Sequence, residues 1–316
     1  GNDHFAFEFS REWLSRHGGL ILSGDVMNVR GTQHPRQGNS VFGFVKDSFP
    51  DRWGRALLDR RERLAAQEEH RPVRTLSNYD YLVGIEDLTR MGGIRYRTEN
   101  NGAFINSNSR YSVPPLESLR ALCDACQEIE SAEERNELPQ QRWLDQLVDP
   151  GSSLGGARPK ANVVDTDGRL YVAKFPSKKD LEDTELIEHF SHILARKAGI
   201  DVANTRVIPI SKDRHLLLSE RFDRTPEGKR RHFASAMSLL GLDDGSGAST
   251  GNGYLDIVDF IVRNCTDVQQ NLHELYRRVA FNVLFGNTDD HFRNHGFLLT
   301  PKGWTLSPAY DINPST

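Results

Sequence analysis

Residues 279–299 place a dense run of titratable groups between two apolar segments. VAFNVLF (279–285) reads as a buried helix and GFLL (296–299) as a buried strand. Between them runs GNTDDHFRNH (286–295). Charged side chains sit against a core only when they are paired or put to use. The helix–loop–strand unit therefore commits the second half of the chain to a fold that gathers Asp289, Asp290, His291, Asn294 and His295 at one place. The strand continues as a hairpin, GFLL–TPKG–WTLSPAYD, which folds back and delivers Asp311 opposite Asn294.

Upstream, PGSSLGGARPK (150–160) is a glycine loop ahead of two short strands, ANVVD and LYVAKF, joined at Asp167-Gly168 as a hairpin. On the second strand, alternation puts Tyr171, Ala173 and Phe175 on one face and Val172 and Lys174 on the other. TELIEHFSHILARKAGI (184–200) reads as a helix with Leu186, Phe190, Ile193 and Leu194 inward, closed near Gly199. TRVIPI and HLLLSERFD read as strands, GSGASTGNG (245–253) as a flexible loop, and YLDIVDFIVRN and NLHELYRRVAFNVLFG as helices. In the first half FAFEFS alternates like a strand, and 49–70 reads as a basic-faced helix behind Pro50-Asp51. LSNYDYLVGI is helical or mixed, GGIRYR an exit strand, 100–115 a polar loop, and an acidic connection then runs to Pro150. The expected domains are 1–148 and 149–316.

A net charge of −4 argues against a dedicated nucleic-acid binder, although KRRH (229–232) is a local basic patch. No apolar run approaches the ~18 residues of a membrane span, and GNDHFAFEFS has no signal-peptide pattern; cysteine usage points to a reducing compartment, with the cytoplasm as the expected location. Cys123 and Cys126 form a lone CxxC on the helical face Leu116, Leu119, Cys123, Cys126, Ile129, which reads as core and not as a zinc site. Both ends read as cut, with the chain a piece of a longer protein.

Three clusters carry chemistry. Gly151 to Gly156 satisfies the GxxxxG half of a phosphate loop, but Ala157-Arg158 stands where that motif needs Lys-Ser/Thr, which disfavours a P-loop NTPase; a plain turn before a hairpin is the alternative. Lys174 on its strand is either a solvated surface lysine or the phosphate lysine of a kinase-type clamp, with Glu188, or else Glu185, to hold it extended. Asp289 can orient a hydroxyl nucleophile, while Asn294 and Asp311 can supply oxygens to magnesium. His291 and His295 also have the i,i+4 spacing of a zinc hydrolase, but Phe292 replaces the glutamate base.

Taken together, SSLGGARPKA, YVAKFPS, LSERFDR, NTDDHFRNHGFLL and LSPAYDI resemble the HipA family of bacterial serine/threonine kinases, the toxins of toxin–antitoxin modules. FGFVKDSFPDRWGRALLDRRE and DYLVGIEDLTRMGGIRYR resemble that family's N-terminal domain, so the resemblance spans most of residues 5–313. It implies an α+β fold, a two-lobed protein-kinase-like core with an N-terminal accessory α/β domain. It implies ATP and Mg²⁺ as cofactors, with ATP between the glycine loop and the catalytic loop.

Position by position, the resemblance assigns ATP binding to Ser152, Ser153, Leu154, Gly155, Gly156, Lys160, Lys174 and Asn294, with Glu220 and Phe222 at the adenine hinge. It assigns catalysis to Asp289, His291 and Lys174, and Mg²⁺ to Asn294 and Asp311. Autophosphorylation falls on Ser153, with Ser152 as its neighbour, and would swing the loop toward Arg158 or Lys160. The implied substrate is a translation-related protein such as an aminoacyl-tRNA synthetase, and the implied partner a DNA-binding antitoxin of HipB type. Direct sequence-specific nucleic-acid binding and a membrane role are not expected. The sequence departs from the family pattern at Arg158-Pro159 and Asp290, and the expected helical C-terminal part is absent after Thr316. The alternatives are a lipid or small-molecule kinase on a similar core, and a non-catalytic nucleotide-binding module acting through an antitoxin.

Overall fold

The computed structural model describes residues 5–107, 113–148 and 156–314. Its helices are α1 (Arg11–His17), α2 (Gly43–Lys46), α3 (Arg52–Glu68), α4 (Asn78–Val83), α5 (Leu119–Glu134), α6 (Gln141–Val148), α7 (Thr184–Lys197), α8 (Ala236–Leu239), α9 (Tyr254–Asn264) and α10 (Val268–Phe285). Its strands are β1 (Lys160–Val164), β2 (Leu170–Lys174), β3 (Thr205–Ser211), β4 (Arg214–Glu220), β5 (Phe233–Ser235), β6 (Gly296–Thr300) and β7 (Gly303–Leu306). These elements fall into two compact units interleaved along the chain. One comprises 48–193 and 203–230, the other 1–47, 194–202 and 231–316.

The first of these units is built on an antiparallel sheet of order β1-β2-β4-β3. The expected hairpin pairs Lys160 with Lys174 and turns at Gly168, whose φ of +80° is a left-handed conformation that glycine adopts without a Cβ penalty. Asp51 caps α3 by accepting from the Gly54 N–H at 2.8 Å, and Ser77 and Asp80 form a capping box on α4. Helices α3, α5 and α6 place Leu57, Cys126, Ile129 and Leu144 in one core with Ala161, Phe175 and Leu218 of the sheet segments. The CxxC is thus two core thiols, and burial pushes Cys123 up to about 11. The acidic connection expected before Pro150 contains helix α6, while GGIRYR, expected as an exit strand, makes no sheet pairing.

The expected inward face of α7 is reversed over its first turns. Leu186 and Phe190 are 40% and 55% exposed, whereas Glu185 and Glu188 are 1% and 4% exposed. A carboxylate is buried only with a counterion, and both glutamates have one, so ion pairing sets the rotation of this helix against its apolar pattern.

The second unit carries the sheet β5-β6-β7. Phe297 and Trp304 pack with Met237, Ile257, Phe260 and Ile261, and the Trp304 indole donates to the Ile21 carbonyl at 3.0 Å. FAFEFS contributes only a bridge between Phe7 and Gln33, because its phenylalanines are spent on an aromatic cluster: the rings of Phe7 and Phe9 meet edge-on at 4.7 Å. Residues 245–253 hold a short 3₁₀ turn. α10 ends at Gly286, φ +72°, whose N–H returns to the Asn282 carbonyl. Its last turn is only partly buried, with Val283 and Leu284 73% and 88% exposed, against the expected buried helix.

Candidate active site

Strand β2 ends at Lys174, and α7 presents Glu188 to it. The ammonium meets the Glu188 carboxylate at 2.6 Å, with the two side chains 13% and 6% exposed. Of the two candidate partners, Glu188 holds the lysine; Glu185 instead accepts from Arg158 at 2.8 Å. Lys160 lies directly across the hairpin from Lys174, where like charges destabilise a strand pair. Each lysine is neutralised by its own acid. Lys160 is buried against Asp51 at 3.2 Å and donates to the Gly156 carbonyl at 2.9 Å. The helix cap of α3 is therefore also the counterion of Lys160.

Arg158 forms a fork with Asp180 at 2.7 and 2.6 Å as well as bonding Glu185. Both cations expected to receive a loop phosphate are thus already engaged. Burial pushes the Glu185 carboxyl up, against the opposing pull of Arg158. Ser152, Ser153, Leu154 and Gly155 lie outside the described residues. Gly156 is described, its carbonyl also accepting from the Trp53 N–H at 3.3 Å.

At the end of β4, Glu220 and Phe222 are partly exposed while Arg221 and Asp223 between and after them are buried. Glu220 accepts from Asn204 at 3.1 Å. Asp223 receives Arg221 at 2.9 and 2.7 Å, Arg224 at 2.5 Å and the Gly92 N–H at 2.7 Å. Arg224 and Arg230 then donate to the carbonyls of Leu88, Arg90 and Gly92. Burial alone would push Asp223 up, but Arg221 and then Arg224 outweigh it and hold the carboxyl at about 2. This network clamps the segment 87–92 onto the strand end that carries the expected hinge. Sequence reasoning missed it, although Arg221, Asp223, Arg224 and Arg230 within ten residues of a strand were a visible signal.

In the other unit, the loop after α10 is closed on itself. The Asn294 amide nitrogen donates to the Asp289 carbonyl at 3.0 Å, and the Asn294 N–H to the His291 carbonyl at 2.8 Å. Asp289 and His291 are exposed. The Tyr310 hydroxyl donates to the Arg293 carbonyl at 2.5 Å, so the neighbours of Asp311 and Asn294 are bonded to each other. Asn294 and Asp311 line one pocket together with Asn287, Asp290, His295 and Tyr310. Asp311 has φ +53°, an unusual backbone conformation for a residue other than glycine and one that Asp tolerates.

Asp290 turns inward. Its side chain is 7% exposed, accepts from the Tyr254 hydroxyl at 2.5 Å and pairs with His295 at 3.0 Å. Burial pushes this carboxyl up, but bonds from His295, Tyr254 and Asn282 outweigh it and keep it below the ordinary carboxylate range. The HExxH-like spacing is not realised, because 290–295 is a turn with His291 exposed and His295 buried.

Asn294 has its amide nitrogen committed to Asp289, which leaves its side-chain oxygen, in the pocket that Asp311 also lines, as a hard oxygen donor. That donor set fits magnesium. Among the described residues, no group of three or more His, Cys, Asp or Glu side chains could hold a metal ion, so an ion here would draw on water and phosphate oxygens as well.

The strand lysine paired to a helical glutamate, and the polar loop followed by a hairpin-borne aspartate, belong to a protein-kinase-like fold. The same fold is found in Shewanella oneidensis HipA, from its complex with HipB and operator DNA. That structure matches 99% of this chain and 71% of its own at a TM-score of 0.65 and 20% identity. The model of the HipA-like C-terminal domain matches residues 152–316, more than half of the chain. The chain belongs to the HipA family. The S. oneidensis serine/threonine-protein kinase toxin HipA is 27% identical over 199 residues, covering 54% of this chain and 45% of that protein. The chain spans about half the length of the curated relatives it matches.

Proposed function

We propose that the protein is an ATP- and Mg²⁺-dependent serine/threonine kinase of the HipA toxin type. The observation that carries this reading is the buried Lys174–Glu188 pair. It is the arrangement by which kinases hold a lysine extended for nucleotide phosphates. Lys174 binds and neutralises phosphate oxygens, and Glu220 and Phe222 border the adenine. Asp289, exposed on its loop, orients the substrate hydroxyl and accepts its proton. The hydroxyl oxygen bonds to the γ-phosphorus as the bond from that phosphorus to the β–γ bridging oxygen breaks, and ADP leaves. Asn294 and Asp311 would hold magnesium, which supplies charge neutralisation to the phosphates when bound. His291 contributes its carbonyl to the loop closure. Lys160, held by Asp51 and Gly156, supports the base of the glycine loop in this reading and does not itself carry phosphate.

The family resemblance further supports a translation-related substrate such as an aminoacyl-tRNA synthetase, self-phosphorylation at Ser153 or Ser152, a cytoplasmic location and a HipB-type antitoxin partner. HipB accompanies the HipA of the matched structure. The family match starts at residue 152, beside the expected boundary at 148–149, although the compact unit 48–193 runs through that point. No helix among the described residues is long and apolar enough to cross a membrane.

The test is incubation with γ-labelled ATP and Mg²⁺, alone and with a bacterial lysate. Label on serine or threonine of protein is expected, with the self-phosphorylated site mapped by mass spectrometry to 152 or 153. Label confined to lipid or a small metabolite would overturn the protein-kinase reading.

A further inference from the structure

The two residues proposed for the chemistry of the loop, Asp289 and Asn294, are each followed by one half of a buried pair. Asp290 follows Asp289 and His295 follows Asn294, and their side chains meet at 3.0 Å. The pair is shielded, at 7% and 3% side-chain exposure, and is also bonded to the start of α9 through Tyr254. Tyr254 and His295 stand edge-on at 5.8 Å. The His295 carbonyl accepts from the Ala236 N–H at 2.7 Å, so this end of the loop is tied to the helix–strand core as well. No catalytic role uses these three side chains, yet they cross-link the second and last residues of a segment whose first and penultimate residues are joined by Asn294.

We propose that Asp290, His295 and Tyr254 are positioning residues that fix the catalytic loop, with Asp290 acting through Asp289. This rests on the kinase reading above. Within 289–295 the other side-chain bond runs from the Asn294 amide nitrogen to the Asp289 carbonyl. Losing the pair frees both backbone positions that aim Asp289 and Asn294. A misplacement of about 1 Å costs on the order of a hundredfold in rate, so a partial loosening is expected to cost at least about tenfold.

The test uses Asp290→Asn, which keeps shape and removes charge, in wild-type and Asp289→Asn backgrounds, with Tyr254→Phe as the milder variant. Two readouts are taken: phosphoryl transfer, and hydrogen exchange at the Asn294 amide, which is bonded to the His291 carbonyl. Asp290→Asn is expected to lower kcat at least about tenfold with the wild-type base present, and to lower the residual rate by a clearly smaller factor, through Asn294 alone, once Asp289 is already Asn. Exchange at Asn294 is expected to quicken by a similar factor while the global melting temperature moves little. Tyr254→Phe, which leaves the Asp290–His295 pair in place, is expected to give a smaller loss of about two- to fivefold.

Equal losses in both backgrounds would overturn the action through Asp289. Unchanged exchange would overturn the loop tie itself, even in a protein that proved to have no transfer activity. If Asp290→Asn does not fold, the Tyr254→Phe result decides, and wild-type kcat and exchange in that variant would overturn the proposal.

Discussion

Replacing Asp223 with Asn would leave Arg221 and Arg224 buried against a neutral amide. The carboxylate is wholly buried, receives two guanidiniums and one backbone N–H, and is held at about 2 against an ordinary 3.8. By linkage, that depression alone is worth about 2 kcal/mol at neutral pH. Removing one partner of a buried ion pair costs more, about 3–5 kcal/mol, because the remaining charge is left uncompensated.

The sign follows from the depressed folded value. The contribution of Asp223 is full above the unfolded carboxyl's range near 4 and is lost as pH falls through about 2. The Gly92 N–H reports it directly, since it donates to Asp223 at 2.7 Å. Hydrogen exchange at Gly92, corrected for intrinsic rate, should quicken by about a hundredfold or more in Asp223→Asn at neutral pH. In the wild type, protection should persist to about pH 4 and fall below it; in the variant that acid step should be missing. Gly92 protection within a few-fold of wild type would refute the clamp.

Lys174→Met should abolish phosphoryl transfer and also destabilise, because Glu188 is left buried without its cation; Lys174→Met with Glu188→Gln should recover melting temperature but not activity. Recovery of activity in the double variant would remove Lys174 from the site. Asp311→Ala should weaken ATP binding in the presence of Mg²⁺ far more than in its absence, measured by calorimetry, and equal losses would count against a metal role. Gly296→Ala should destabilise by about 1–3 kcal/mol in denaturant titration. A Cβ there would lie 2.2 Å from a Phe233 ring carbon and 2.8 Å from the Ser307 hydroxyl. A neutral effect would mean that β5 and β6 pack less closely than described.

The sequence made β1 to β4, β6, β7 and the polar loop legible because their signals are local. Asp167-Gly168 marks the first hairpin, Pro50-Asp51 the start of α3, and TPKG the terminal turn. Pairing between distant segments was less visible. Apolar spacing turned α7 the wrong way, since periodicity does not register that Lys174 and Arg158 would draw Glu188 and Glu185 inward. Asp290 looked like an unexplained charge beside the base, for its partners Tyr254 and His295 are 36 and 5 residues away. The resemblance assigned Lys160 to ATP, and its partner Asp51, 109 residues earlier, was not visible in the sequence.

In the proposed function Asp289 is the base of a phosphoryl transfer. The most direct test of that role is single-turnover transfer from γ-labelled Mg-ATP by purified wild type and Asp289→Asn, with ATP affinity measured alongside. The variant is expected to bind ATP with near wild-type affinity and to lose transfer by at least about a hundredfold. Transfer at the wild-type rate in Asp289→Asn would contradict that role.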